Sequence, residues 1–532
     1  MVRSSSLLAC YLLIIFFDGT SQAHGQDWTH PVLAAGHFRV EAASLHLSSS
    51  ARFGQNVENG SISEAIEPHG FDFTSLAIGS GLFPILSDLE SQMSVLTDYK
   101  DYSVNLGTSV TNLTRNEVRI PISVSLGIFD YLTLGATIPI TRRRTEVSSA
   151  FNGQEANVGI SPTITNPQQI NTFLSNLASA SSELSGIAQT LCTPDTTSSQ
   201  CLQAQAVLQE SQQFRQTLNN SYTGFGVFPL EGSLAGNMLQ LELDALSSAY
   251  SNLGLNSYPA NIPLANQRLT TSHFNSLITD PSFGVSAYPL ESWSSPWELG
   301  DIELFGNLRL FSNSPQKQSR EDVLSSKLHY LLGIGGLVRL GTGQTDLPDN
   351  LVDIGSGDGQ NDFVLKVFTN LSNINQWGIW AEASYGHQQS TLVTRRVALA
   401  HQAFPSLSST QLVEWTPGVY SQLRLSPRYH LTPELTLLGE TRYFTKKLDQ
   451  YTITPEADCH PSTCLDPGPL EDETQQTLFE IGGGFTFNTT RSQDHPLEIR
   501  FLYRTPILGS GGKTAKTSLL ELSVQLFRVF AD

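Results

Sequence analysis

The stretch EVRIPISVSLGIFDYLTLGATIPIT, Glu117 to Thr141, decides the fold. Val118, Ile120, Ile122, Val124, Leu126 and Ile128 fall at every second place, with Glu117, Arg119, Ser123 and Ser125 between them. After Phe129, Asp130 and Tyr131 the alternation resumes at Leu132, Leu134, Ala136, Ile138 and Ile140, with Thr133, Thr137 and Thr141 on the other face. A helix would space its apolar residues by three and four and would not favour so many β-branched side chains at period two. The stretch reads as two strands and a tight turn.

The same period recurs along the chain. It appears in Phe38, Val40 and Ala42, in a lead-in through Val104 and Leu106 to Glu117, and in Ile302 to Leu310 and Leu328 to Leu340. It returns in Phe363 to Val367, Ile379 to Tyr385, Val419 to Leu425, Leu435 to Tyr443, Phe479 to Phe487, Leu497 to Tyr503 and Leu520 to Leu526. These make about twelve strands, an even number as single-chain membrane barrels require. Short links at Phe129 to Asp130, near Pro315, at Asn373 to Asn375, Thr432 to Pro433 and Thr490 to His495 alternate with long ones. The long links run from Ala51 to Asp101, Thr145 to Pro296, Gly343 to Asn361, Arg395 to Val413 and Thr454 to Glu473. That alternation predicts an all-β fold: a transmembrane antiparallel up-and-down β-barrel with a large, partly helical extracellular insertion and both chain ends on the periplasmic side. Phe129, Tyr131, Trp377, Tyr385, Trp415, Tyr443, Phe444 and Phe530 are the expected interfacial aromatics. A soluble sandwich would also alternate, but its outward face would be rich in Lys and Glu, whereas here charges are sparse and mixed in sign.

Composition agrees. Of 532 residues only 15% are charged, well below the roughly 25% of soluble domains. The formal charge of -19 excludes a nucleic-acid binder, which needs a basic face. Residues 1–25 read as a secretory signal peptide, with Arg3 ahead of the apolar run Leu7 to Phe17 and small residues Ala23 and Gly25 after it. The mature chain, 26–532, holds Cys192, Cys201, Cys459 and Cys464 in two close pairs, the pattern of two local disulfides in an exported protein. A metal site with His460 is the rival, but the spacing fits no zinc template. No later stretch approaches the length of a membrane helix, so a membrane-bound chain must cross by strands.

The insertion, 146–296, is too long for an ordinary loop. Ile170, Phe173, Leu174 and Leu177, then Leu202, Val207 and Leu208, have helical spacing, with Asn166 and Pro167 as a start signal. They predict two short helices tied by Cys192 and Cys201, either shielding the barrel mouth or entering the pore. A smaller helical patch spans Leu82 to Leu96. Phosphate loops, zinc-protease helices and nucleophile elbows are absent, and no cofactor is implied. Asp353 to Asp362 lacks the spacing and closing Glu of a calcium loop and reads as a glycine turn. His329, His387 and His430 are isolated, so no catalytic residues and no metal ligands are assigned.

Parity places Glu117, Glu303, Glu382, Glu440, Glu480, Glu498 and Glu521 on the face opposite the apolar residues, with Arg119, Arg309, Arg339, Lys366, Arg424, Arg428, Arg442, Arg500 and Arg504. These are the candidate lumen-lining charges, which either pair across strands or shape a polar pore. The excess negative charge is left to the loops and termini.

WELGDIELFGNLRLF (Trp297 to Phe311), VRLGTGQTD (Val338 to Asp346), IGSGDGQNDFVLKV (Ile354 to Val367) and RIPISVSLGIFDYLTLGATIPI (Arg119 to Ile140) resemble Gram-negative outer-membrane β-barrel proteins grouped with transporters and with the outer-membrane proteins of phenol meta-pathway clusters. LLELSVQLFRVFAD at the C-terminus is similar to the insertion signal read by the barrel-assembly machinery, although Ala531 and Asp532 follow the aromatic Phe530. The resemblance implies passive uptake of small, hydrophobic or aromatic solutes across the outer membrane of a Gram-negative bacterium. The expected partners are outer-membrane lipid and lipopolysaccharide, the assembly machinery during insertion, and a small-molecule solute. A monomeric channel is thus the first functional expectation. A closed structural or adhesive barrel that binds an external partner through its loops is the second. An outer-membrane hydrolase, which would need an inward-facing nucleophile and base in one layer, is the third.

Overall fold

The computed structural model describes residues 31–54, 63–193, 195–281, 284–313, 328–373, 376–399, 402–454, 464–489 and 497–529. Residues 1–25, expected to be a signal peptide, together with Cys459, His460, Phe530 and the turn near Pro315, lie outside the described residues.

Among the described residues, twelve antiparallel strands form one ring: β1 His37–Ser49, β2 Thr108–Phe129, β3 Leu132–Asn152, β4 Ile302–Ser312, β5 Leu328–Leu340, β6 Asp362–Asn373, β7 Trp377–Gln388, β8 Tyr420–His430, β9 Leu435–Lys446, β10 Gln476–Asn488, β11 Leu497–Ser510 and β12 Ser518–Val529. Each strand pairs with its neighbours in sequence, and β12 returns to β1 with Val40 opposite Leu526 and Ala42 opposite Val524. The ring has no open edge across the membrane-spanning part of its strands, so the backbone groups there find partners on neighbouring strands.

Alternation sorts the side chains as the period requires. Val124, Leu134, Leu304, Tyr330, Leu365, Tyr385, Leu423, Leu437, Phe485 and Leu522 point outward and are exposed, Leu365 by 62%. Thr133, Asn307, Asp362, Glu440, Glu480 and Glu498 on the opposite face are buried. Exposed apolar side chains on nearly every strand would be an aggregation surface in water and a good fit to hydrocarbon in a membrane. The chain is a membrane-spanning barrel, and single-chain barrels of this kind reside in the outer membrane of Gram-negative bacteria.

Several local expectations give way to longer-range contacts. β2 and β3 have 22 and 21 residues, about twice the roughly 9–11 that cross a bilayer. The insertion expected from position 146 therefore leaves the sheet only after Asn152, whose partner is Thr108. Val104 and Leu106, expected to lead into this strand, are instead buried in a core formed by the loops. The aromatic assignments divide as well. Phe129 and Tyr131 stack at the β2–β3 turn and are exposed. Phe444 faces the bore beneath the Arg442 guanidinium. Trp415 sits in a small sheet outside the barrel, donating its indole N–H to Asp449. The β11–β12 link, residues 511–517, is short although it lies among the long ones, and its Thr514 and Ala515 pair with the strand Ala51–Phe53.

The projecting β2–β3 hairpin carries a cap. Its helices are α1 Leu86–Thr97, α2 Pro167–Cys192, α3 Ser199–Gly224, α4 Leu234–Asn252 and α5 Thr271–Thr279. Asn166 caps α2, its side chain accepting from Gln169 N–H, as the sequence signal anticipates. The helices expected to be short have 26 residues each, and α4 and α5 were not anticipated. Ile170, Leu177, Leu218, Tyr222, Leu239 and Tyr250 share one apolar core with Met93, Leu106 and Phe404 from other loops. Phe83 stacks on Phe404 at 4.6 Å. Buried Arg396 fastens four loop segments by donating to the carbonyls of Val285, Ser286 and Pro405 and pairing with Asp349 at 2.6 Å. Residues 153–300 hold ten carboxylates and two arginines, so much of the net charge of -19 lies in the cap.

Two outcomes follow from this architecture. Cys192 and Cys201 are disulfide-bonded across nine positions, and loop-closure entropy assigns such a link about 2.5 kcal/mol. The C192S/C201S variant should lose protease resistance in the α2–α3 hairpin, read by limited proteolysis, while the barrel keeps its heat-modifiable migration in gels. At the rim, burial and the nearby Arg115 and Arg52 hold His69 down to about 4. The neutral ring sits 2.7 Å from Ser49 Oγ. A folded-state value below the unfolded 6.5 means that stability is complete above pH 6.5 and falls as the pH drops toward 4, by at most about 3 kcal/mol. Melting in detergent at pH 7 and pH 4.5 should show a drop for the wild type that is smaller in His69→Gln.

Candidate functional site in the barrel lumen

The inward face of the sheet concentrates charge on neighbouring strands, and most of it is paired. Glu440 on β9 is the hub: its side chain is 2% exposed and takes Arg504 at 2.5 Å, Arg424 at 2.6 Å and Arg500 at 3.4 Å. Arg442 pairs with Glu480 at 2.8 Å, and Arg504 approaches the same carboxylate at 3.5 Å. Arg500 also reaches Glu521 at 3.5 Å. On the opposite wall Arg339 joins Glu303 at 3.0 Å and Asp362 at 2.6 Å, and Arg119 folds back on Glu117 at 2.9 Å. Apart from the Arg119–Glu117 pair within β2, these are cross-strand pairs, and they answer charges that would be costly alone in a low dielectric.

The remaining candidates occupy the same face. Arg428 donates to Asn370 Oδ1 at 2.8 Å. Glu382 stands in register with Arg424, and Lys366 with Gly335 and Ser384. Glu498 is 1% exposed beside its register neighbours Gln525 and Asn488. Arg309 sits near the short turns, its backbone N–H donating to Tyr131 O. Of the isolated histidines, His329 is buried, His387 lies on the outer face beside Leu365 and Tyr385, and His430 Nδ1 is 2.8 Å from Thr436 Oγ1.

Among the described residues, the bore holds a cavity near each end. The one nearer the short turns, of about 250 Å³, is bounded by Arg39, Glu41, Trp380, Arg424, Glu440 and Arg500, among others. One of about 400 Å³ toward the long loops is bounded by Arg119, Asp301, Glu303, Arg339 and the Gly355–Asp358 segment. This glycine-rich segment turns at the strand entrance as expected, with Gly359 at φ 71° and Asp358 Oδ1 accepting from Gln360 N–H, and it also lines the bore. Gly343 N–H donates to Asp301 Oδ1 at 2.8 Å, and Ser356 Oγ donates to Leu299 O at 3.2 Å. A methyl group on Gly357 would strike the Asp301 carboxylate, so glycine is needed for the close approach.

Sequence reasoning missed Arg39, Glu41, Asp301, Asp362 and Trp380. Parity was sufficient for most of them: Arg39 and Glu41 alternate with Phe38, Val40 and Ala42, and Asp362 precedes Phe363. Trp380 carried no charge to draw attention, although Ile379 and Ala381 bracket it on the outward face.

No family model matches the chain, and no curated protein does. Among solved structures it is similar to an outer membrane channel from Pseudomonas putida F1, with a TM-score of 0.40 and 8% identity over 96% of this chain and 100% of that one. It is also similar to the Pseudomonas putida toluene transporter TodX, with a TM-score of 0.26 and 10% identity over 96% of each chain. The translocator domain of the autotransporter NalP from Neisseria meningitidis aligns with a TM-score of 0.26 and 7% identity, over 98% of this chain and 93% of that one.

Because Glu440 serves three guanidinium groups, Glu440→Gln should be the most destabilising single change in this network. The expected loss is near the low end of about 3–5 kcal/mol, read as a lower urea midpoint in detergent. An unchanged midpoint would mean that solvent, rather than the carboxylate, satisfies the arginines.

Proposed function

We propose that this protein is a passive outer-membrane channel for small solutes, hydrophobic or aromatic ones among them, with access shaped by the cap. The observation that supports this most directly is the pair of cavities, about 250 and 400 Å³, stacked inside a sealed barrel. Paired charges line them, so the wall is polar without presenting a strong single-sign barrier. Trp380, Leu438 and Leu502 add apolar surface to the cavity nearer the short turns, a wall suited to solutes with little charge of their own. In this reading the long loops face outward, lipid and lipopolysaccharide surround the belt, and the barrel-assembly machinery acts only during insertion.

Reconstituted into planar bilayers, the purified chain should give discrete conductance steps. In liposomes it should speed the entry of a small uncharged aromatic such as benzyl alcohol relative to protein-free vesicles. A barrel that is folded by heat-modifiable migration yet silent in both assays would count against the channel.

A further inference from the structure

The residues immediately before β1 leave the sheet ladder and run inside the barrel at the short-turn mouth. Gly36 N–H donates to Gly127 O and Ala35 N–H to Asp130 Oδ1, both at 3.0 Å, at the β2–β3 turn. Leu33 N–H donates to Thr133 Oγ1 on β3 at 2.7 Å, and Asn307 Nδ2 on β4 donates to Pro31 O at 3.4 Å. Val32 packs against Leu331 of β5 and Phe368 of β6, with Trp380 of β7 beside them. These partners run in order from β2 to β6, so the segment follows one side of the inner wall at the short-turn mouth and ends beside β7, which faces β1 in a ring of twelve strands. Val32 and Leu33 are each 3% exposed, and Pro31 borders the 250 Å³ cavity.

Val32 rests on aromatic rings that stack on one another, beside a lumen wall in which single apolar residues such as Leu438 and Leu502 stand among the charges. Among the described residues, the two clusters of mutually packed buried apolar side chains are the cap core and the group Val32, Leu331 and Phe368. The Phe368 and Trp380 rings stack at 5.5 Å with 17° between their planes, giving an apolar floor below a bore of paired charges. Apolar surface inside a polar conduit gains free energy only by being covered with something equally apolar. Here the chain covers it with its own valine. The segment lies outside the sheet ladder, which begins at His37, so it can leave without breaking strand pairing.

We propose that Leu331, Phe368 and Trp380 form a binding site for a small apolar solute that the chain occupies with Val32 at rest. A solute that takes the site expels Val32 and frees the segment from the mouth, so binding and opening are one event. Ions and strongly polar solutes gain nothing at that floor and leave the segment in place. This inference rests on the channel reading and names the solute class that opens it.

The full-length mature chain would be studied in planar bilayers with toluene as the probe. The wild type should conduct weakly, and saturating toluene should raise the conductance several-fold. Val32→Gly should conduct at the raised level without toluene and respond little to it. Phe368→Ala, which removes part of the floor, should require more toluene for the same response. L33C/T133C, whose positions are already in hydrogen-bond contact, should lose the response when oxidised and regain it on reduction, with folding checked by heat-modifiable migration. If Val32→Gly matched the wild type in conductance and toluene response, the self-occupied site would be overturned while the channel stood. If oxidised L33C/T133C still opened with toluene, the segment would not be the barrier. Silence of every folded variant, Val32→Gly included, would instead overturn the channel reading itself.

Discussion

A strand in hydrocarbon has no water to accept its N–H groups or donate to its C=O groups, so each must find a partner on another strand. In this chain that demand is met only when β12, at one end of the sequence, pairs with β1 at the other. The Val40 to Leu526 register closes the ring, and no part of the sheet is a stable membrane unit without it. Closure then creates an inside. Once the outward positions are given to lipid, the alternate positions have nowhere to go but the bore. Their charges must be answered there by one another, as Glu440 answers Arg424, Arg500 and Arg504.

The second determinant is length. Ten strands are close to what a bilayer needs, whereas β2 and β3 run on for about another ten residues. The surplus lifts a hairpin clear of the membrane, where loops from several strand pairs gather on it. Phe83, Phe274 and Phe404 come from three different loops and meet in one aromatic cluster. Arg396 ties the same loops through backbone carbonyls. The cap is therefore a separately cored body with most of the molecule's buried apolar residues, while the barrel has its apolar surface on the outside. Its acidic character leaves the wall and bore nearer to neutrality.

These two bodies place different constraints on a passing solute. At the cap end the inward-folded glycine segment and Asp301 narrow the bore with hydrogen-bonded backbone. At the short-turn end residues 31–36 line it from β2 to β6, with Val32 resting on an apolar floor. Between them lies a corridor of largely neutralised charge, held by ion pairs shared among strands.

Strand identity, hairpin order and the face of each side chain were legible in the sequence because they depend on a local rule: neighbouring residues in an extended chain point to opposite sides. Glu117 to Thr141 shows this within a single hairpin, and the same rule located Glu440, Glu480 and Arg504. Where strands ended was less legible, since Val104 and Val147 have the same local character whether they pair in a sheet or pack under a helix. Other features were decided only by the tertiary structure. Val32 meeting Phe368, Arg396 meeting Val285, and the pairing of Thr514 with Phe53 all join residues far apart in the chain. Such contacts follow from closure of the ring and the piling of its loops, and no periodicity along the chain encodes them.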